Sequence, residues 1–332
     1  MKAAVIGAGA WGTALSTVLL RNGHDTTLWC HRPQRAEEIR ASRVNPRLPG
    51  ITLPEALKIT ADPACVKDCA LVVIASPSSP IRSVCRAVAP YLEEDALLVS
   101  VTKGIEPGTL KRMSQVVAEE CRRPVVALSG PCHAEEVAAQ YPTGCLSASE
   151  NREQAEMVQD AFINENFRVY TSPDAVGAEL GGALKNVIAL CAGVLDGLNC
   201  GDNCKAMLMT RGLTEIARLG VAMGAQKDTL AGLSGIGDLI VTCTSMHSRN
   251  RRAGILIGQG RTARQAMDEV GAVVEGYYAT KSAYDLGRKM KIDMPIVNAA
   301  YQVLYEDADV RQIIGDLLVR QRKPESEDAG WN

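Results

Sequence analysis

Aromatic side chains are scarce in this chain: they make up 4% of its residues, with two phenylalanines and three tryptophans. So thin a supply leaves little on which to stack nucleic-acid bases. An excess of one charge is also lacking, because 36 basic side chains face 38 acidic ones for a formal net charge of −2. No general field draws the chain to nucleic acid or to an anionic membrane. Zinc chemistry has few ligands to use, since none of the eleven cysteines forms a CxxC and only four histidines exist; no metal is expected. Cys65/Cys69 and Cys200/Cys204 repeat at helix-face spacing, and the thiols are expected to be reduced and mostly buried in a cytoplasmic protein. No stretch reaches the roughly 20 uninterrupted apolar residues of a membrane span. The opening MKAAVIGAGAWGTALSTVLLRNG places Lys2 before an apolar run, as a signal peptide would, but its three glycines disfavour the helix such a run needs.

What the chain does have is length and apolar mass. Its 332 residues, 46% of them hydrophobic, suffice for two domains with separate cores. Residues 2–6 read as a short buried strand, 10–22 as a helix closed by Gly23, and 25–30 as a strand of β-formers. Further apolar strands follow at 70–76, 95–102, 124–130, 143–149 and 167–172, separated by helical stretches such as 107–121. Near-continuous apolar strands alternating with helices predict a doubly wound, mostly parallel sheet of the Rossmann type. From Glu179 onward the period is helical and no convincing strand occurs. The expected division is a dinucleotide-binding domain over 1–178 and an all-α substrate domain over 179–332. The final RKPESEDAGWN is polar and expected to be mobile.

The stretch GAGAWGTAL, residues 7–15, joins the first strand to the first helix. In that setting Gly7 permits the tight turn, Gly9 lets the main chain approach a pyrophosphate, and Gly12 lets strand and helix pack closely. The helix N-terminus adds N–H donors and partial positive charge. At the end of the second strand, where an NAD site usually carries an acid for the ribose 2′-OH, stand Cys30, His31 and Arg32. Cations there suit a 2′-phosphate, so the pattern leans to NADP(H) over NAD(H).

The helical stretch 179–198 is apolar almost all round, and Lys185 interrupts it. No acid on the same helix lies three or four positions away. Burial without an acidic partner disfavours the ammonium and lowers its pKa, which suits a proton donor near neutral pH; a lysine snorkelling to water is the alternative. Lys103 follows a strand at the carboxyl edge, where open α/β sheets bind ligands, and Gly130 ends another. Asp238 stands among apolar residues. Ser248, Arg249 and Asn250 form a polar cluster that either clamps an oxyanion or phosphate or is a solvated basic run. Cys132 beside His133 suggests a thiol nucleophile only weakly, because chain neighbours seldom face each other.

In order along the chain, GAGAWGTAL, SVTKGIE, GPCHAEEVA, AELGGALKNVIAL, GDNCKAMLMTRGLTEIARLG, GLSGIGDLIVTCTSMHSRNRRAG and VVEGYYATK resemble the motifs of the bacterial-type NAD(P)-dependent glycerol-3-phosphate dehydrogenases, as far as about residue 280. The resemblance implies a cytoplasmic homodimer that reduces dihydroxyacetone phosphate to sn-glycerol 3-phosphate for glycerophospholipid synthesis. It implies Lys185 as the proton-transferring residue and Lys103, Gly130, Cys132, Asn186, Asp238, Thr242, Ser248, Arg249 and Asn250 as substrate contacts. It implies cofactor contacts at Ala10, Trp11, His31, Arg32, Lys103, Ala134, Arg249, Val273 and Glu275 beside the loop glycines. The departure is Cys132, where the resembling motif carries Ser or Thr; a thiol is the weaker hydrogen-bond donor. A hydroxy-acid, ketopantoate-like or sugar-nucleotide dehydrogenase, or a dinucleotide sensor without the reaction, are the competing readings.

Overall fold

A computed structural model describes residues 1–322, 324 and 325; most of the polar terminus expected to be mobile lies outside the described residues. Eight strands, β1 (Lys2–Ile6), β2 (Asp25–Trp29), β3 (Lys58–Thr60), β4 (Leu71–Ile74), β5 (Leu97–Ser100), β6 (Val125–Ser129), β7 (Thr143–Ala148) and β8 (Phe167–Ser172), form one sheet in the order β3-β2-β1-β4-β5-β6-β7-β8. β1 is parallel to both its neighbours, with Val5 beside Leu28 on one side and Val73 on the other. Strand order reverses here, so the loops leaving β1 and β4 diverge and open a crevice at the carboxyl edge.

Both faces of the sheet are covered, which is why its strands read as unbroken apolar runs. Val5, Leu28 and Val73 pack under α1 (Ala10–Arg21), α2 (Pro33–Ser42) and α6 (Arg152–Phe162) through Leu15, Leu19, Ile39 and Phe162. Ala4, Ile6, Val72 and Ile74 face the other way, onto Ile81 and Val88 of α3 (Ile81–Val88) and Val116 and Val117 of α4 (Met113–Cys121). A short α5 (Ala134–Ala138) leads into β7.

Local sequence and structure differ at a few places, each for a physical reason. β7 runs antiparallel to β6, with Leu128 opposite Ser147, and β8 is parallel to β7. β8 therefore lies at an edge and alternates, burying Phe167 and Val169 and exposing Arg168 and Tyr170. The helix expected from residue 107 starts only at Met113, because Gly108 and Leu110 have φ of 81° and 59° and Ile105 bridges Arg112. β3 is three residues long and α2 buries only Ala36 and Ile39, so neither has a strong pattern.

After β8 the described residues hold no further strand. α7 (Ala175–Gly197) is followed by α8 (Gly201–Ala222), α9 (Lys227–Leu230), α10 (Asp238–Thr244), α11 (Arg249–Gly258), α12 (Ala263–Val270), α13 (Glu275–Met290), α14 (Pro295–Tyr305) and α15 (Val310–Leu318). The change expected at residue 178 falls in the first turn of α7. Asp174 caps this helix, its Oδ1 accepting from the Gly177 N–H at 2.7 Å. α7 is the one helix among the described residues long and apolar enough to cross a membrane, and residues 177–190 are all buried by protein instead. α11 crosses it at backbone contact: a Cβ on Gly193 would lie 2.0 Å from the Arg251 carbonyl oxygen, and one on Gly254 2.0 Å from that of Leu190. That closeness brings the start of α11 against the polar stripe of α7.

Candidate active site

The loop between β1 and α1 is shaped for close approach of a ligand. Gly7 has φ of 130°, and a Cβ there would meet the Ala75 carbonyl oxygen at 2.4 Å; a Cβ on Gly12 would meet the Gly7 carbonyl oxygen at 2.0 Å. Gly9 differs, since a Cβ there would meet nothing within 4 Å. It caps α1 without any side-chain hydrogen bond, so the first-turn N–H groups remain for a ligand. Trp11 next to it keeps Nε1 buried without a partner. Asn45, which no sequence motif signals, holds the loop by donating to Ala8 O at 3.1 Å and Thr13 Oγ1 at 2.7 Å. A backbone cradle and a buried orphan donor fit a dinucleotide pyrophosphate. Gly9→Ala should consequently fold normally and weaken NAD(P)H binding about tenfold or more, a loss of ~1.4 kcal/mol, in a fluorescence titration. Unchanged affinity would mean that no ligand approaches the main chain there.

At the end of β2, His31 and Arg32 are exposed and Arg32 Nε donates to His31 Nε2 at 3.3 Å. No carboxylate stands at this position, which accommodates a 2′-phosphate. Across the crevice, Val273 is exposed just before α13, and Glu275 opens that helix. Glu275 accepts from Ser78 Oγ at 2.7 Å and from Ser78 N–H at 3.3 Å, tying the loop after β4 to the helical half. Ser78 escaped the sequence reading, although it follows an apolar strand at the same edge as Lys103. Ala134 is buried at the start of α5.

Lys185 and Lys103 meet at one carboxylate. α7 carries Lys185, the loop after β5 carries Lys103, and Asp238 opens α10 after the turn Leu233–Gly237. Lys103 Nζ donates to Asp238 Oδ2 at 2.7 Å, and Lys185 Nζ donates to Asp238 Oδ1 and to Thr242 Oγ1, the latter at 2.6 Å. Lys185 therefore does have an acidic partner, supplied by another helix 53 positions along the chain. Asp238 is fully buried and Lys185 nearly so.

The two ammonium groups differ in what they have left to give. Each carries three N–H donors. Lys103 directs all three at protein acceptors: Asp238, the Gly130 carbonyl oxygen at 3.0 Å and Cys132 Sγ at 3.2 Å. Lys185 has two protein acceptors and so one spare donor. Their acidities also diverge. Burial pulls Lys185 down to about 8, with Asp238 resisting and the Lys103 charge adding to the fall. Burial pulls on Lys103 too, but Asp238 and Cys132 outweigh it and hold its pKa above the usual lysine range. One lysine is a fixed cation; the other trades a proton close to neutrality.

Around this pair the remaining candidates take several positions. Gly130 follows β6 with φ of 148°, and Cys132 is half-buried beside Lys103. His133 turns away, Nε2 facing the Val241 carbonyl oxygen at 3.4 Å, so Cys132 and His133 form no dyad. Asn186 accepts from Asn250 Nδ2 at 2.8 Å, and Asn250 Oδ1 accepts from the Gly276 N–H at 2.8 Å. Asn250 thus ties α7, α11 and α13 together with one of its two amide N–H groups and its Oδ1. Ser248 is the N-cap of α11, accepting from the Arg251 N–H at 3.2 Å. Arg251 belongs to the scaffold through Asp196 at 2.7 Å. Arg249 is exposed, has no hydrogen bond or ion pair among the described residues, and faces charges of Glu275, Arg47 and Glu135. A free guanidinium over a helix N-terminus suits an anion.

No cluster of potential metal ligands occurs among the described residues. Residues 2–155 match the family described as NAD-dependent glycerol-3-phosphate dehydrogenase N-terminus, and residues 174–315 its C-terminus. Glycerol-3-phosphate dehydrogenase [NAD(P)+] of Geobacillus kaustophilus is 51% identical over 98% of this chain and 96% of its own. That of a Thermoanaerobacter species is 50% identical over 98% and 99%. The crystal structure of glycerol-3-phosphate dehydrogenase from Coxiella burnetii superposes with a TM-score of 0.92 at 38% identity, covering 96% of this chain and 99% of the other. Glycine cradle, paired lysines and full-length similarity agree, and the chain belongs to the NAD-dependent glycerol-3-phosphate dehydrogenase family.

Proposed function

We infer that the chain reduces the carbonyl of dihydroxyacetone phosphate to sn-glycerol 3-phosphate with NAD(P)H, and that Lys185 delivers the proton. The observation that carries this reading is the shared carboxylate: Asp238 holds Lys185 with one donor unspent beside a second, saturated cation. Bound NAD(P)H supplies the hydride. The spare Lys185 N–H protonates the oxygen that becomes negative, and Lys103 lowers the cost of that charge from a fixed position. Thr242 orients Lys185 and is itself held, its Oγ1 donating to the Asp238 carbonyl oxygen at 2.6 Å.

Arg249 and the N-terminus of α11 hold the substrate phosphate, so that binding energy remote from the carbonyl positions it. Arg249→Ala is then expected to raise the KM for dihydroxyacetone phosphate about tenfold or more with little change in kcat. Equal KM values, or reduction of phosphate-free dihydroxyacetone as fast as the phosphate ester, would remove the clamp. The division into a cofactor half, 1–178, and a substrate half, 179–332, goes with this reading, and the separate N- and C-terminal family matches over 2–155 and 174–315 support it; a cytoplasmic homodimer serving glycerophospholipid synthesis is proposed with it.

Initial rates with dihydroxyacetone phosphate and either NADH or NADPH, followed by nicotinamide absorbance, test the assignment. Turnover with at least one cofactor is expected, and faster with NADPH from the cations after β2. No turnover with either, alongside reduction of ketopantoate or a 2-keto acid, would overturn it.

A further inference from the structure

Cys132 has a role open to it besides touching substrate. Its Sγ receives the Lys103 ammonium at 3.2 Å, and the Cys145 thiol on β7 is its neighbour, 3.6 Å from where a Cβ on Gly130 would stand. It can itself donate to the Gly130 carbonyl oxygen at 2.9 Å. The residue is half-buried beside the Lys103 ammonium, whereas Cys145 is fully buried. An ammonium and a thiol donor on one sulfur stabilise its thiolate, the form that reacts with electrophilic oxygen.

We propose that Cys132 is an oxidisable thiol of the substrate pocket, that hydroperoxides are the oxidants it takes, and that Cys145 is its resolving partner. The Cys132 thiolate attacks one peroxide oxygen: an S–O bond forms, the O–O bond breaks, and the departing hydroxide or alkoxide takes a proton to become water or alcohol. Cys132 is then a sulfenic acid. Sγ of Cys145 attacks that sulfur, the S–S bond forms, the S–O bond breaks, and the hydroxyl leaves as water with the Cys145 proton. Two thiols are oxidised and one peroxide is reduced. The disulfide removes one of the three acceptors that fix Lys103 and draws the segment after β6 toward β7, so reduction of substrate stops.

Cys85 and Cys121 form a second pair of neighbouring thiols, with Arg123 lowering the Cys121 pKa, but both lie buried in the core away from the site lysines; Cys200 and Cys204 have no cation on either sulfur among the described residues. The groups facing Cys132 set its pH behaviour. The Cys145 thiol lowers its pKa most, burial raises it, the Lys103 charge lowers it, Asp238 raises it and Lys185 lowers it, leaving it below the usual thiol value. Low pKa also makes a thiolate intrinsically less nucleophilic. The diagnostic is therefore the pH profile and not the speed at neutral pH.

The test treats the whole enzyme with hydrogen peroxide at pH 7.5 and pH 6.0, follows loss of reductase activity, and maps modified cysteines by mass spectrometry. The inactivation rate constant should fall far less between these pH values than the thiolate of an ordinary thiol, which falls about thirtyfold. Mapping should find Cys132 linked to Cys145 and dithiothreitol should restore activity. In Cys145→Ser, which leaves the site lysines untouched, prolonged peroxide should give sulfinic Cys132 and loss that dithiothreitol does not reverse. Inactivated enzyme with unmodified Cys132, or a thirtyfold fall at pH 6.0, would overturn the proposal. It uses the reductase reading only for its activity assay, and mapping succeeds or fails without it.

Discussion

Lys185→Met should lower kcat for reduction by about 10²- to 10⁴-fold, the range that a positioned general acid contributes, while leaving NAD(P)H affinity nearly intact. Methionine keeps the unbranched stem among the apolar neighbours of α7, and Asp238 retains Lys103 as its counterion. The ammonium goes, and with it the spare N–H and the bonds to Asp238 and Thr242. The pH dependence gives the same result a sign. With the Lys185 pKa lowered to about 8, the ammonium needed for reduction is lost as pH rises through that value, so reductive kcat falls there. Oxidation of sn-glycerol 3-phosphate needs the neutral amine, so its rate rises across the same interval. Both limbs should vanish in Lys185→Met. Steady-state kinetics between pH 6 and 10 checks this, and a variant with normal turnover would take the lysine out of the reaction.

Asp238→Asn should have the second largest effect, on stability and acidity together. The carboxylate is fully buried and is the counterion of two lysines, one of them buried and the other mostly so. Its neutral isostere leaves two cations facing each other without one, and breaking a buried pair costs about 3–5 kcal/mol. The less stable ammonium can escape part of that cost by releasing its proton. Lys185 is that group, because burial and the Lys103 charge already oppose it. The descending limb of reductive kcat should consequently move well below pH 8, and chemical denaturation should show the loss of stability. An unshifted limb with unchanged stability would mean that Asp238 is not the counterion of the pair.

The sequence made the sheet legible because covered parallel strands are apolar without interruption, as in Leu71–Ile74 and Leu97–Ser100. It hid β3 and α2, which bury too few side chains for a period to show, and it hid the reversed direction of β7, since strand direction leaves no mark on apolar pattern. Lys185, Lys103 and Asp238 each stood out singly, as charge in an apolar helix, charge at a strand end and acid among hydrophobic residues. Their meeting did not, because helix spacing reports neighbours three or four positions away and Asp238 arrives from another helix. Asn250 and Arg251 show the opposite limit. A run of polar residues looks like a ligand clamp, and the folded chain shows that it also serves the scaffold: Asn250 bonds Asn186 and Gly276, and Arg251 bonds Asp196. Arg249 keeps its charge free of a partner among the described residues. Asn45 and Ser78 carry no motif, and only the folded chain brings them to the cofactor loop and to Glu275.

The claim on which the mechanism turns is that the Lys185 amine gives up its proton near neutrality while held by Asp238 and Thr242. Site-resolved NMR titration of the lysine side-chain resonances, with Lys185→Met to assign the signal, measures it directly. A midpoint near pH 8 is predicted for Lys185; a midpoint at the ordinary lysine value of about 10.4 would contradict the account.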